Sequence, residues 1–340
     1  MRITFGQKLM LFPVFLVIRI LWFIDDIGRV VRLAVIHTGR LAMYAVAVIV
    51  ALTSFYVESR NTGITNIPSV FSPESPAVLG VIEEKAPSLA VDIPFPDVSA
   101  VSVYAVDLDS DLVLVDRNSG FKLAPASTTK LMTALIALDL YSLEDTLIIP
   151  EFCTEIEGLK AGFYAEDAYS VRDLLFSLLV NSSADAACAL AIGNVPYAEF
   201  IALMNTKSTK LGLSQTSFTN PIGLDGANGS HSSSARDLYL LARYARDNEF
   251  IKEIVSTKEV TVTSASGFST YLVNTNDLLW SRPGSVGIKT GQTEAAGQVL
   301  VYEYDLDDKN IIISLMHSSD RFGDTTQVLD WVLDSYSWPD

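Results

Sequence analysis

The run Pro-Ala-Ser-Thr-Thr-Lys places a serine hydroxyl, Ser127, three residues ahead of a lysine amine, Lys130. On a helix that spacing sets both side chains on one face, one turn apart. A serine hydroxyl is a weak nucleophile until a neighbouring base takes its proton. Lysine can be that base only where burial or another cation disfavours its ammonium form. The residues from Lys130 to Leu140 are almost all apolar, so the helix they predict over 128–140 belongs in a core, with Ser127 at its opening. There the Ser127 backbone N–H can also face a developing oxyanion. The pair reads as the reactive centre of an active-site-serine acyl-transfer enzyme. The spacing alone is weak evidence. Ser119 and Lys122 repeat it in a turn-like stretch that opens no apolar helix, and they are read as coincidence.

Two further runs strengthen the assignment. Lys289-Thr290-Gly291 ends an apolar strand and continues as Gln292-Thr293. Small Thr and Gly let an extended substrate lie against that strand edge. Lys289 brings a positive charge that can bind a carboxylate and help keep Lys130 neutral. Between the two runs, Ser182 ends one predicted helix and Ser183 begins the next. A hydroxyl there can relay a proton to a leaving amine; taken by themselves, Ser182 and Ser183 read as helix caps.

The elements that must position these groups follow a simple order. A hairpin is predicted from strands at 99–106 and 112–115, and then the central helix. Further helices are predicted at 171–180, 183–192, 197–211 and 234–246. Strands return at 259–263, 285–290, 297–304 and 310–316, and a last helix covers 325–337. Strands at both ends with helices between them predict an α+β fold, its one sheet assembled from the two ends of the domain.

Ahead of the domain, residues 41–57 form an uncharged apolar run preceded by Arg29, Arg32 and Arg40. It reads as a short transmembrane anchor with a cytoplasmic start and an extracytoplasmic body, a single-pass protein of the cell membrane. Residues 1–40 form a basic cytoplasmic or interfacial arm. Residues 9–24 are apolar but hold Pro13 and Arg19, and lie in the interface in this reading; spanning instead would make a hairpin and put the body inside. Residues 58–97 are Pro-rich and read as a linker, leaving 98–340 as the catalytic domain.

The formal net charge is −16, divided as +4 over residues 1–40 and −20 over the rest, which argues against a nucleic-acid partner. The three histidines are scattered and no Gly-x-Ser-x-Gly run occurs, so neither a Ser-His-Asp hydrolase nor a metal site is expected, and no cofactor. His37, His231 and His317 are read as structural. Cys188 reads as a core residue, with a Cys153–Cys188 bridge left open.

Ser-x-x-Lys, Ser-x-Asn-like and Lys-Thr-Gly runs in this order resemble the penicillin-recognising serine enzymes. Within them the chain is most similar to the low-molecular-mass D-alanyl-D-alanine carboxypeptidases. The likeness covers 98–337 and extends to the runs 125–134, 218–224, 234–238, 287–293 and 296–297. It implies a penicillin-binding-protein/β-lactamase-like transpeptidase fold, with a central antiparallel sheet and a helical subdomain. It also implies acylation of Ser127 by a peptidoglycan stem peptide, or by a β-lactam antibiotic. By the same likeness Lys130 is the general base and Ser182 the relay, Lys289 and Thr290 hold the terminal carboxylate, and the N–H groups of Ser127 and Gln292 form the oxyanion hole. Gly291 and Thr293 complete the substrate strand. One position departs: Ala184 stands where the family has an Asn that orients the substrate amide and the lysine. With the Ser relay retained, catalysis is still expected. The alternatives are a β-lactamase-type hydrolase, for which the expected Glu-x-x-Leu-Asn run is missing, and a non-catalytic wall-binding module in which Ala184 marks decay.

Overall fold

A computed structural model describes residues 86–339 of the chain; the expected basic arm, the run 41–57 and the linker up to residue 85 lie outside the described residues. Strand β1 is Ser88–Leu89, and β2 (Ser102–Asp107) and β3 (Val113–Arg117) form the expected hairpin. A 3-10 turn, Ala126–Thr129, leads into α1 (Lys130–Leu140). Next come β4 (Thr146–Ile148), the single turn α2 (Glu151–Thr154) and β5 (Ala168–Ser170), which pairs with β4. The helical layer continues with α3 (Val171–Leu179), α4 (Ala184–Ile192), α5 (Tyr197–Lys210), α6 (Ala235–Arg246) and α7 (Glu249–Ser256). A hairpin of β6 (Glu259–Thr263) and β7 (Ser269–Val273) and the short α8 (Leu278–Ser281) follow. The chain closes with β8 (Ser285–Thr293), β9 (Gly297–Leu306), β10 (Lys309–Ser318), α9 (Arg321–Ser335) and β11 (Tyr336–Ser337).

The main sheet is five-stranded and antiparallel, in the order β3-β2-β10-β9-β8. It joins the two ends of the domain, and β8 lies on its edge. Its side chains divide by the two-residue period of a strand. Tyr104, Val106, Val299, Val301, Ile312 and Met316 enter the core shared with the helices. Val103, Ala105, Leu300, Tyr302, Ile311 and Ile313 enter a second core under α9. Burial on both faces explains why β2 is buried at all six positions and why these strands are apolar without clean alternation.

Helix α1 is buried from Lys130 through Ala137, as its all-round apolar sequence requires. Side-chain caps set other helix starts: Ser170 accepts from Asp173 N–H, Ser234 from Asp237 N–H, and Asn248 from Phe250 and Ile251 N–H.

Several expectations are revised. The helix predicted from 128 starts as a 3-10 turn, because Ala126 sits at φ 49° and the Thr128 hydroxyl donates to the Pro125 carbonyl at 2.7 Å. The last helix begins at Arg321 rather than 325, capped by Asp320, and ends at Ser335, where the chain turns extended. Residues 86–97, read from sequence as the end of a linker, lie on the domain. Ser88 and Leu89 pair with Ser337 and Tyr336, Trp331 Nε1 donates to the Ile93 carbonyl at 2.8 Å, and Phe95 meets the Trp331 ring edge-on. Apolar and aromatic contacts outweigh the prolines there. Cys153 and Cys188 are joined in a disulfide, buried in the core that also holds α1.

Candidate active site

The 3-10 turn carrying Ser127, the start of α1, the α3–α4 junction and the edge strand β8 converge on one cleft of about 340 Å³. Ser127, Lys130, Ser182, Thr290, Gly291, Gln292 and Thr293 all line it. Lys130 Nζ stands 2.9 Å from Ser127 Oγ and donates to the Ile222 carbonyl at 2.7 Å. The amine is only 1% exposed, and burial lowers its pKa from 10.5 to about 7, with the Asp185 carboxylate acting in the opposite direction. Burial of Leu131, Met132, Leu135 and Ile136 on the same helix contributes about 2 kcal/mol each, enough to hold the helix in place around an amine that would rather be solvated.

Two glycines let the backbones meet at the serine turn. A Cβ on Gly223, which has φ 94°, would stand 2.0 Å from the Ala126 carbonyl oxygen, and one on Gly291 would stand 2.9 Å from Ser127 N. The loop holding Gly223 is shaped by Asn220, whose Oδ1 accepts from the N–H groups of Ile222, Gly223 and Leu224 at 3.1, 2.7 and 3.0 Å. Two non-glycine residues beside the cleft, Ala126 and Ser182, hold left-handed φ values of 49° and 63°. Such backbone is costly, and it concentrates at functional sites.

Ser182 is 3% exposed and lines the cleft. Ser183 occupies the N-cap position of α4 but makes no capping bond; its hydroxyl donates to Asn181 Oδ1. Lys289, on β8 itself, is 1% exposed and is not among the residues lining the cleft; its Nζ donates to the Thr290 carbonyl at 3.2 Å. Burial pushes its pKa well below the usual value, and the charges of Lys130 and Arg321 push the same way. The Thr290 hydroxyl meets that of Thr275 at 2.5 Å, and the Thr293 hydroxyl donates to Asp225 at 2.6 Å. By contrast, Lys122 of the other Ser-x-x-Lys run is exposed while Ser119 is buried, so those two form no site.

The structure adds participants that the sequence did not single out. Arg321, at the start of α9, lines the cleft, donates to the Gly291 carbonyl at 3.1 Å, and leaves its buried Nε without a partner among the described residues. Thr275 lines the cleft beside Thr290. At the departing position, Ala184 is fully buried and does not face the cleft. Gly158 and Leu159 line it instead, and the Leu159 carbonyl accepts from Ala184 N–H at 2.6 Å. The Asp185 carboxylate fixes that loop by accepting from the N–H groups of Ala161 and Gly162 at 3.1 and 3.0 Å. The only advance signal for the Ile222 carbonyl was the run 218–224, noted without a role.

The chain is similar to known enzymes in sequence and fold. The family model described as D-alanyl-D-alanine carboxypeptidase matches residues 88–320. The D-alanyl-D-alanine carboxypeptidase DacB2 of Mycobacterium tuberculosis is 35% identical over 237 residues, covering 70% of this chain and 81% of that protein. DacF of Bacillus subtilis, also a D-alanyl-D-alanine carboxypeptidase, is 30% identical over 70% of this chain, which spans 63% of DacF's length. The crystal structure of the Streptomyces K15 DD-transpeptidase superposes with a TM-score of 0.67 at 30% identity, covering 71% of this chain and all of that one. The chain belongs to the D-alanyl-D-alanine carboxypeptidase family.

Proposed function

We propose that this protein is a serine-type D-Ala-D-Ala carboxypeptidase that trims peptidoglycan stem peptides through an acyl-enzyme on Ser127. The observation that carries this reading is the 2.9 Å approach of a buried lysine amine, with a pKa near 7, to a serine hydroxyl at a cleft bounded by an edge strand. The Lys130 amine takes the Ser127 proton as Oγ attacks the carbonyl carbon of the penultimate D-alanine. The N–H groups of Ser127 and Gln292 receive the oxyanion. The proton passes by way of the Ser182 hydroxyl to the departing D-alanine nitrogen as the C–N bond breaks. Water then attacks the ester, giving its proton back through Lys130 and freeing Ser127.

The stem peptide lies antiparallel along the free edge of β8, between that strand and the 220–224 loop. Its terminal carboxylate meets Thr290 and Arg321, with the Lys289 amine next to them on the Thr290 carbonyl. A β-lactam acylates the same hydroxyl. The apolar run 41–57 behind Arg29, Arg32 and Arg40 supports a single-pass anchor with the domain on the extracytoplasmic side. The Cys153–Cys188 disulfide suits that oxidising compartment.

Full-length protein in detergent, offered a stem pentapeptide ending in D-Ala-D-Ala, is expected to release D-alanine and to be labelled covalently by a fluorescent penicillin. Equal labelling of wild type and Ser127→Ala would exclude the acyl-enzyme.

A further inference from the structure

His231 lies outside the mechanism above, yet it is buried beside it, 1% exposed and packed on Phe218. Its Nδ1 accepts from Thr219 N–H at 3.0 Å, and its Nε2 stands 2.8 Å from Thr129 Oγ1. A backbone N–H can only donate, so Nδ1 is the acceptor and the proton of the neutral ring sits on Nε2, donating to Thr129. Thr129 directly precedes Lys130 on the serine turn. Thr219 opens the loop whose Ile222 carbonyl accepts from the Lys130 amine at 2.7 Å. The imidazole therefore spans the two segments that grip Lys130 at its backbone and at its amine. One turn further on, the Thr133 hydroxyl makes a parallel bridge to the Pro221 carbonyl at 2.6 Å.

We propose that His231 is a positioning residue for Lys130: its two ring nitrogens lock the serine turn to the 219–224 loop, so that the amine is held dry and aimed at Ser127. This rests on the acyl-transfer reading of the site. If the lock loosens, the loop carbonyl withdraws, water reaches the amine, and its proton is held more firmly. The charged group that acts on the amine is Asp185, the one that acts on the ring is Asp225, and Lys130 and Arg321 act in turn on the neighbouring Lys289. Burial takes the ring itself down to about 4, so it stays neutral through the neutral range.

Two amides separate the two bonds. In His231→Gln, the terminal NH₂ falls where Nε2 was and keeps the donor to Thr129. In His231→Asn, the shorter amide keeps an acceptor for Thr219 N–H but leaves Thr129 unbonded. Acylation of the full-length variants by a fluorescent penicillin is followed as a function of pH, with thermal unfolding measured alongside. His231→Gln is expected within about threefold of wild type, with an unchanged acid limb. His231→Asn is expected about tenfold or more slower at pH 7, with its half-maximal pH raised by about one unit. A folded His231→Asn with wild-type rate and limb would overturn the proposal; so would equal losses in both variants without a shifted limb, the mark of a merely structural residue. Should both histidine variants fail to fold, Thr129→Val removes the acceptor alone, and it too must raise the half-maximal pH or the proposal falls. Failure of wild type to label above Ser127→Ala would reject the acyl-enzyme itself, a separate result.

Discussion

Acylation of Ser127 should fall about tenfold between pH 8 and pH 6, and the fall should belong to Lys130. Burial brings that amine to about 7, against the opposing pull of Asp185. The free-base fraction is then about nine-tenths at pH 8, one-half at pH 7 and about one-tenth at pH 6. An ordinary lysine would be about 0.3% free at pH 8, and its rate would still climb about tenfold per unit to pH 10. The assay is the second-order constant for covalent labelling by a fluorescent penicillin at subsaturating concentration, with Ser127→Ala as the blank. A plateau above pH 8 with one decade lost per unit below about 6.5 is the expected profile. A rate that is flat from pH 6 to 8, or still rising through pH 9, would refute the reasoning. Asp185→Asn removes the carboxylate that favours the charged amine, so its midpoint should move below that of wild type.

The same burial has a stability consequence whose sign follows from linkage. The folded pKa lies below the unfolded value of 10.5, so between about 7 and 10.5 the unfolded chain binds the extra proton and stability rises with pH. At pH 7 the buried amine costs about 4 kcal/mol on this basis, less what its hydrogen bonds return. Lys130→Met should therefore be at least as resistant to heat as wild type while losing acylation.

Restoring the family asparagine is not expected to help. Ala184 is fully buried and a Cβ on Gly158 would already stand 3.3 Å from its own Cβ, so Ala184→Asn should overpack the loop, lose about 1–3 kcal/mol in denaturant unfolding and label no faster. Faster labelling in a stable variant would show that the Gly158–Leu159 wall does not occupy that space. Cys153→Ala with Cys188→Ala opens a loop of 35 residues and should lower unfolding free energy by about 2–4 kcal/mol, read by denaturant titration; no change would mean that the loop is held by Asp185 and packing alone. Arg321→Met should raise KM for a pentapeptide with a free carboxylate by about tenfold and leave the C-terminal amide of that peptide little changed; an equal effect on both would place the guanidinium away from the carboxylate.

Much of this protein was legible along the chain wherever local geometry decides. Ser127 and Lys130 are one helical turn apart whatever surrounds them, and an apolar helix with no polar face has to be central. The strands at 285–293, 297–306 and 309–318 read as strands because burial on both sheet faces selects β-branched and aromatic residues. The hairpin at the start and the strands at the end had to share a sheet, because neither could bury both faces alone. Lys-Thr-Gly in an apolar strand marked what the fold shows as the edge strand of the sheet, and the ordered motifs pointed to one family.

Other features came from meetings between distant residues that no local pattern encodes. The carbonyl that accepts from the Lys130 amine is 92 residues away at Ile222, and the loop carrying it is hydrogen-bonded to a histidine that is 102 residues from its partner Thr129. Arg321, ahead of the helix predicted from 325, carried no signal until the fold placed it in the cleft beside β8. The disulfide needed the two Cα atoms at 5.5 Å, a separation only the folded loop supplies. Ala184 looked like a missing side chain in the motif, but the fold fills that place with backbone from Gly158 and Leu159. By itself, the sequence determined which groups can exchange a proton, because their spacing is local. The tertiary structure decided how dry, how charged and how firmly held those groups are, because desolvation and long-range hydrogen bonds depend on what the rest of the chain packs around them.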